Sequence, residues 1–128
     1  MQYEYYYGAQ AEQFSFYRIP KALFTEPNFR ELSTDAKVLY GILLDRMSLS
    51  LKNQWLDAQN KVYIIFTVEE IMDALNCANQ KATRLMVELE KQAGLIERKR
   101  LGLGRPNLIY VKNFAATIND KSCEKGDS

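Results

Sequence analysis

Residues 67–112 read TVEEIMDALNCANQKATRLMVELEKQAGLIERKRLGLGRPNLIYVK. Val68, Ile71, Met72 and Leu75 fall at i, i+3, i+4 and i+7, which predicts a short amphipathic helix with one apolar stripe. Ala82, Leu85, Met86, Leu89 and Ala93 repeat that spacing and extend it by a turn, so a second helix is expected over about residues 79–92. Both stripes must bury against something. The groups left outside on the second helix are Gln80, Lys81, Thr83, Arg84 and Lys91, with Glu88 and Glu90 expected on its later, solvated turns. Polar and basic side chains therefore crowd the helix start, where free backbone N–H groups and the macrodipole already favour phosphate. This is the layout of a recognition helix, and the basic hairpin behind it would be its wing.

Local signals punctuate the stretch. Thr67 and Glu70 have the spacing of a capping box at the start of the first helix. Asn76 suits a left-handed helix stop, Cys77 reads as a small buried contact rather than a reactive thiol, and Ala78 or Asn79 opens the second helix. Gly94 ends that helix, Leu95 and Ile96 enter a strand, and the chain turns basic at Arg98, Lys99 and Arg100. Residues 101–107 form the expected wing tip, in which two glycines permit positive φ and Pro106 fixes the outgoing direction. No helix comes after the Gly-x-Gly, so a dinucleotide-binding loop is not expected. Residues 108–111 return as a strand.

Upstream, Ser33 and Thr34 can cap a long helix with Asp35 in its first turn. Ala36, Leu39, Tyr40, Leu43 and Met47 make its main stripe, widened by Val38, Ile42 and Leu44, which marks it as the central helix. Residues 62–66, β-branched and aromatic, predict a buried strand, with residues 55–57 as the other arm of a hairpin across 58–60. Residues 14–19 alternate like a short strand and stop at Pro20, and a helical turn is expected between Pro20 and Pro27. The order is helix, strand, helix, helix, strand, basic turn, strand: an α+β winged helix-turn-helix with a small antiparallel sheet. Residues 1–13 form a tyrosine-rich arm, 14–114 the folded domain, and 115–128 a polar, linker-like tail.

Composition narrows the function. The 128 residues allow one domain, and 47% hydrophobic content is ample for a core. Net charge is only +1, but residues 76–112 carry eight Lys or Arg against three Glu, hence +5, and the remainder −4. Such polarisation matters more to a polyanionic partner than the net value. Histidine is absent and the two cysteines lack metal-ligand spacing, so zinc sites, histidine-based acid/base catalysis and any cofactor are not expected. Carboxylate pairs such as Glu69 and Glu70 are explained by caps and solvated helix faces, and an enzyme is the poorest reading. No apolar run approaches the roughly 20 residues that span a bilayer. Free thiols without a secretory signal point to the cytoplasm.

The segments FYRIPK (16–21), LSTDAK (32–37), VYIIFT (62–67), GLIERKR (94–100) and GLGRPNLIYVK (102–112) resemble the N-terminal domain of RepA-type plasmid replication initiators of Gram-positive bacteria. The resemblance implies a winged-helix domain that binds repeated sites in a plasmid origin and self-associates. It also implies a separate C-terminal domain engaging host replication factors, which would lie outside this chain. Two positions depart from the pattern: Ala78 stands where a serine often opens the recognition helix, and Asn60 where the hairpin has glycine. The first leaves Asn79 as the expected cap.

Contacts divide by role. Asn79, Gln80, Lys81, Thr83 and Arg84 are expected in the major groove of double-stranded DNA, where an amide or guanidinium can pair bidentately with base edges. Lys91, Lys99, Arg100, Arg105 and Asn107 are expected to hold phosphates, with Arg105 also within reach of the minor groove. The plainer alternatives are that Arg98, Lys99 and Arg100 form a solvated strand face, and that Arg84 and Lys91 pair with Glu88 along the helix. A homodimer is expected through the aromatic arm with the long helix or the Trp55 hairpin. A transcriptional repressor and a protein assembly module remain rival functions for the same fold.

Overall fold

In the computed structural model, which describes residues 2–8 and 14–114, helix α1 (Ala22–Thr25) and a 3₁₀ turn (Pro27–Phe29) lead into the long helix α2 (Thr34–Lys52). Strand β1 (Ile64–Ile65), helices α3 (Val68–Leu75) and α4 (Asn79–Val87), and strands β2 (Ile96–Lys99) and β3 (Leu108–Val111) come next along the chain. The sheet is antiparallel in the order β1-β3-β2, with Ile64 opposite Ile109 and Lys99 opposite Leu108. This is a winged helix.

The apolar stripes meet in one core. Ala36, Leu39, Tyr40 and Leu43 of α2 are buried with Ile71 of α3, Leu85 and Met86 of α4, and Ile64, Ile96 and Ile109 of the sheet. At 1.5 Å per residue α2 runs roughly 28 Å and lies under α4, β1 and β3. Tyr40 reaches from it to the end of the sheet, donating a 3.0 Å hydrogen bond to the Lys112 carbonyl. Burial pushes its phenol up to about 12, so it remains a donor throughout the physiological range. Even Lys37 is buried, its ammonium 4.5 Å above the Phe24 ring.

Two expected strands differ from the structure. Residues 14–19 pair with no strand among the described residues; Phe14, Phe16 and Tyr17 stay exposed while Arg18 and Ile19 cross α2 at Gly41. There a Cβ would come within 2.9 Å of Ile19 Cγ1 and 3.0 Å of the Arg18 carbonyl oxygen. Alternation in sequence supplied no partner edge. The buried strand is also shorter than residues 62–66, because Val62 pairs back with Leu56 in the hairpin and only Ile64 and Ile65 reach β3. Asn60 turns that hairpin at φ +67, a conformation asparagine tolerates where glycine would be usual. Asp57 closes it by accepting from the Gln59 and Lys61 N–H groups, and the Tyr110 hydroxyl donates to its other oxygen at 3.0 Å. These bonds, the Lys61 N–H first, hold the Asp57 carboxyl below its usual range. The expectations for residues 9–13 of the arm and for the tail at 115–128 lie outside the described residues, whereas Tyr3, Tyr5, Tyr6 and Tyr7 of the arm are exposed.

Candidate nucleic-acid interface

The helix-turn-helix is set by its ends. The Thr67 side chain accepts from the Glu70 N–H at 3.2 Å while the Glu70 carboxylate accepts from the Thr67 N–H at 3.0 Å, the reciprocal capping box. Asn76 stops α3 at φ +51 and half-buried Cys77 packs on the core in the turn. The N-cap of α4 is Ala78, not Asn79, and no side chain caps it. Asn79 is instead the first helical residue, with Oδ1 at 3.5 Å from the Thr83 hydroxyl that donates to it. The reason is backbone geometry: Ala78 has extended dihedrals, and a cap must precede the first helical residue.

Burial of Ala82, Leu85, Met86 and Leu89 holds one face of this helix down. The opposite face carries Asn79, Gln80, Thr83 and Arg84, all exposed. From Glu88 the helix changes character, and Glu88–Gln92 is π-helical, with the Ala93 N–H donating to the Glu88 carbonyl. Lys91 projects from this wider turn. Gly94, at φ +66, then releases the chain into β2.

Three side-chain contacts tie this helix to its surroundings, and they revise three expectations. Lys81 is drawn sideways to Asp35 at the start of α2, Nζ to Oδ2 2.6 Å, and is only half-exposed. Glu88 is buried rather than solvated: its two oxygens accept from the Ser33 N–H and Ser33 Oγ–H, both at 2.8 Å. Ser33 in turn caps α2 by accepting from the Ala36 N–H at 3.1 Å. Glu90 reaches Arg98 on β2, accepting from Nη2 at 2.7 Å, Nε at 3.0 Å and the backbone N–H at 3.3 Å. That guanidinium holds the Glu90 carboxyl below its ordinary value. Both alternatives raised for the cations therefore change. Glu88 forms no salt bridge with Arg84 or Lys91 among the described residues, and Arg98 is a half-buried partner of Glu90 rather than part of a solvated face.

The wing leaves the sheet at Lys99 and returns at Leu108. Gly102 (φ +122) and Gly104 (φ +77) adopt conformations that only glycine enters readily, and the Arg105 N–H closes the turn on the Gly102 carbonyl at 3.3 Å. Lys99, Arg100, Arg105 and Asn107 are exposed. Arg105 and Asn107 line a cleft together with Thr67 and Val68 at the start of α3 and Met86 of α4, so the wing base stands beside the helix-turn-helix. With Glu88 and Glu90 occupied internally and Asp35 matched to Lys81, Arg84, Lys99, Arg100 and Arg105 form no salt bridge among the described residues. The pairing does not raise the net charge, since Lys81 and Arg98 are spent on Asp35 and Glu90, but it leaves the remaining exposed cations of the interface outside any salt bridge among the described residues. Ser33, Asp35, Glu88, Glu90 and Arg98, which tie α4 and its π-helical extension to α2 and to β2, were not among the expected interface residues. Only the cap Ser33 and the first-turn acid Asp35 gave a local signal, and it pointed to α2.

The family model for the replication initiator protein A (RepA) N-terminus matches residues 15–125. The chain belongs to this family. Three solved structures are similar to this initiator domain. One described as the N-terminal domain of a DNA binding protein is 35% identical, with a TM-score of 0.72, covering 99% of this chain and 98% of that one. A Rep-DNA complex also gives 35% identity and a TM-score of 0.72, covering 98% of each chain. An MDR initiator gives 37% and 0.67, covering 93% of this chain and 98% of that one. A curated relative, a 41 kDa protein of Lactobacillus helveticus, is 29% identical over 113 residues, 88% of this chain. The chain spans about a third of that relative, 31% of its length. Among the described residues, no helix is long and apolar enough to cross a membrane.

Proposed function

We propose that this domain binds double-stranded DNA sequence-specifically at repeated sites of a plasmid replication origin, as the origin-recognition part of an initiator. The observation that carries the reading is the pairing pattern: the acids of the recognition helix are consumed internally while Arg84 and the wing cations are left exposed. Gln80, Thr83 and Arg84, with Asn79 beside them, read base edges in the major groove. Lys91, Lys99, Arg100, Arg105 and Asn107 hold phosphates, and Lys81 acts mainly by fixing the helix through Asp35. The similarity to the Rep-DNA complex supports DNA as the partner, and membership of the initiator family supports replication over transcriptional repression. The domain works in the cytoplasm without catalytic chemistry, as a homodimer, and leaves host-factor recruitment to the rest of the longer initiator.

The test is fluorescence anisotropy of this chain with a tandem repeat from its cognate origin and with a scrambled duplex, across salt, for wild type and Arg105→Ala. Selective binding that survives moderate salt and weakens in Arg105→Ala is expected. Equal, salt-labile binding to both duplexes would leave an assembly module, a reading favoured by the exposed aromatic side chains Phe14, Phe16, Tyr17 and Phe24.

A further inference from the structure

The most exposed large apolar side chain of the described residues sits at the tip of the wing. Leu103 is fully in solvent (relative exposure 105%) and takes no part in the core. An isolated surface leucine would mean little. This one lies between Gly102 and Gly104, both at positive φ, and two residues before Arg105. Turn tips ordinarily carry Gly, Asn, Asp, Ser or Pro, whose side chains are small or hydrogen-bond the turn. Here the neighbours have no side chains at all, so a single isobutyl group stands clear on a narrow loop. A minor groove is about 6 Å wide and 7.5 Å deep, which admits such a tip but not one flanked by bulky residues.

We propose that Leu103 is an apolar wedge that packs against the deoxyribose walls of the minor groove beside Arg105, supplying affinity that does not depend on charge. The inference rests on the DNA-binding reading above and adds a contact class to it. Proteins that enter the minor groove frequently combine cations with an inserted apolar residue. The two components separate by salt: a phosphate contact releases counterions and steepens the dependence of affinity on salt, whereas apolar contact does not. Leu103 would therefore displace the whole binding curve without changing its slope.

The experiment measures anisotropy of the tandem-repeat duplex across salt for wild type, Leu103→Ala, Leu103→Met and Arg105→Ala. Because Leu103 touches no core residue, its substitution leaves the fold intact, and circular dichroism checks this. Leu103→Ala should weaken binding about five- to tenfold at every salt concentration with a parallel slope, and Leu103→Met should stay within about twofold of wild type. Arg105→Ala should reduce the slope by about 0.9. Replacing guanine by inosine in a G·C-flanked duplex removes the minor-groove amino group alone; wild type should tighten about two- to threefold and Leu103→Ala should not respond. Unchanged affinity in Leu103→Ala, an altered slope, or an equal inosine response in both proteins overturns the wedge while leaving DNA binding intact. So does loss of self-association in place of DNA affinity, read by analytical ultracentrifugation. If wild type fails to distinguish repeat from scrambled duplex, the recognition reading falls and the wedge falls with it.

Discussion

The recognition helix and the wing reach outward from the same core but are held in opposite ways. Helix α4 and its π-helical extension are fastened by Lys81 to Asp35, by Glu88 to Ser33 and by Glu90 to Arg98. The wing tip, residues 100–107, is pinned by one backbone turn and two glycine conformations. On the proposed reading, a bidentate base contact tolerates little misplacement, so fixing α4 in advance spares ordering on DNA. Phosphates form a continuous array that a tip can meet in several ways, so constraint there yields less. On the proposed DNA-binding reading, the contrast assigns specificity to the fastened element and salt-dependent affinity to the loose one.

The largest effect should come from Glu88→Ala. Removing that carboxylate leaves the Ser33 N–H and hydroxyl without their partner in a half-buried setting and loosens two helices at once. Loss of about 3 kcal/mol of stability is expected in urea denaturation, since charge-assisted bonds and stranded donors each carry about 1 to 3 kcal/mol. Unchanged stability would remove the anchor from the comparison.

Next, Arg84→Ala and Gln80→Ala should each cost about 1 to 3 kcal/mol of discrimination between repeat and scrambled duplex. Binding to scrambled DNA should change much less. If both duplexes weaken equally, the exposed face of α4 reads phosphate and the division of labour is wrong. The wing should give the converse result. Lys99→Ala and Arg100→Ala should weaken both duplexes alike, and each should lower the salt slope by about 0.9, the share of one neutralised phosphate.

Much of this was legible in residues 67–112 because the signals there are local. The Thr67 and Glu70 box, the left-handed Asn76, the stop at Gly94 and strand β3 at Leu108–Val111 each depend on neighbours a few positions away. Glu88 and Glu90 were misread because helical spacing assigns acids outside the apolar stripe to solvent. Their partners cannot be seen locally: Ser33 is 55 residues from Glu88, and Arg98 lies across the turn into the sheet. The π-helical turn adds to the error, since closing a turn over five residues rotates the later side chains off the 3.6-residue pattern. Residues 14–19 failed for the complementary reason. Their alternation describes a strand face, but Gly41 leaves room for the chain to cross a helix instead.

The smallest effect tests the joint between the two regions. Arg98 holds the Glu90 carboxyl below its ordinary value of 4.5, so around that pH the unfolded chain binds more protons than the folded one. The stabilisation is therefore complete above the ordinary value and is lost as pH falls through the lower folded value. Glu90→Gln, which keeps the shape but not the charge, should flatten this part of the stability curve as pH falls below the ordinary carboxyl value. Asp57 is also held low and continues to titrate in both proteins, so the difference between their melting curves isolates Glu90. At neutral pH the variant should relax the selection between duplexes slightly more than it lowers affinity, because the wing is then less firmly oriented against the helix. If Glu90→Gln and wild type melt in parallel across that range, the Glu90 to Arg98 contact contributes no net free energy, and the wing is held by the sheet register of β2 and β3 alone.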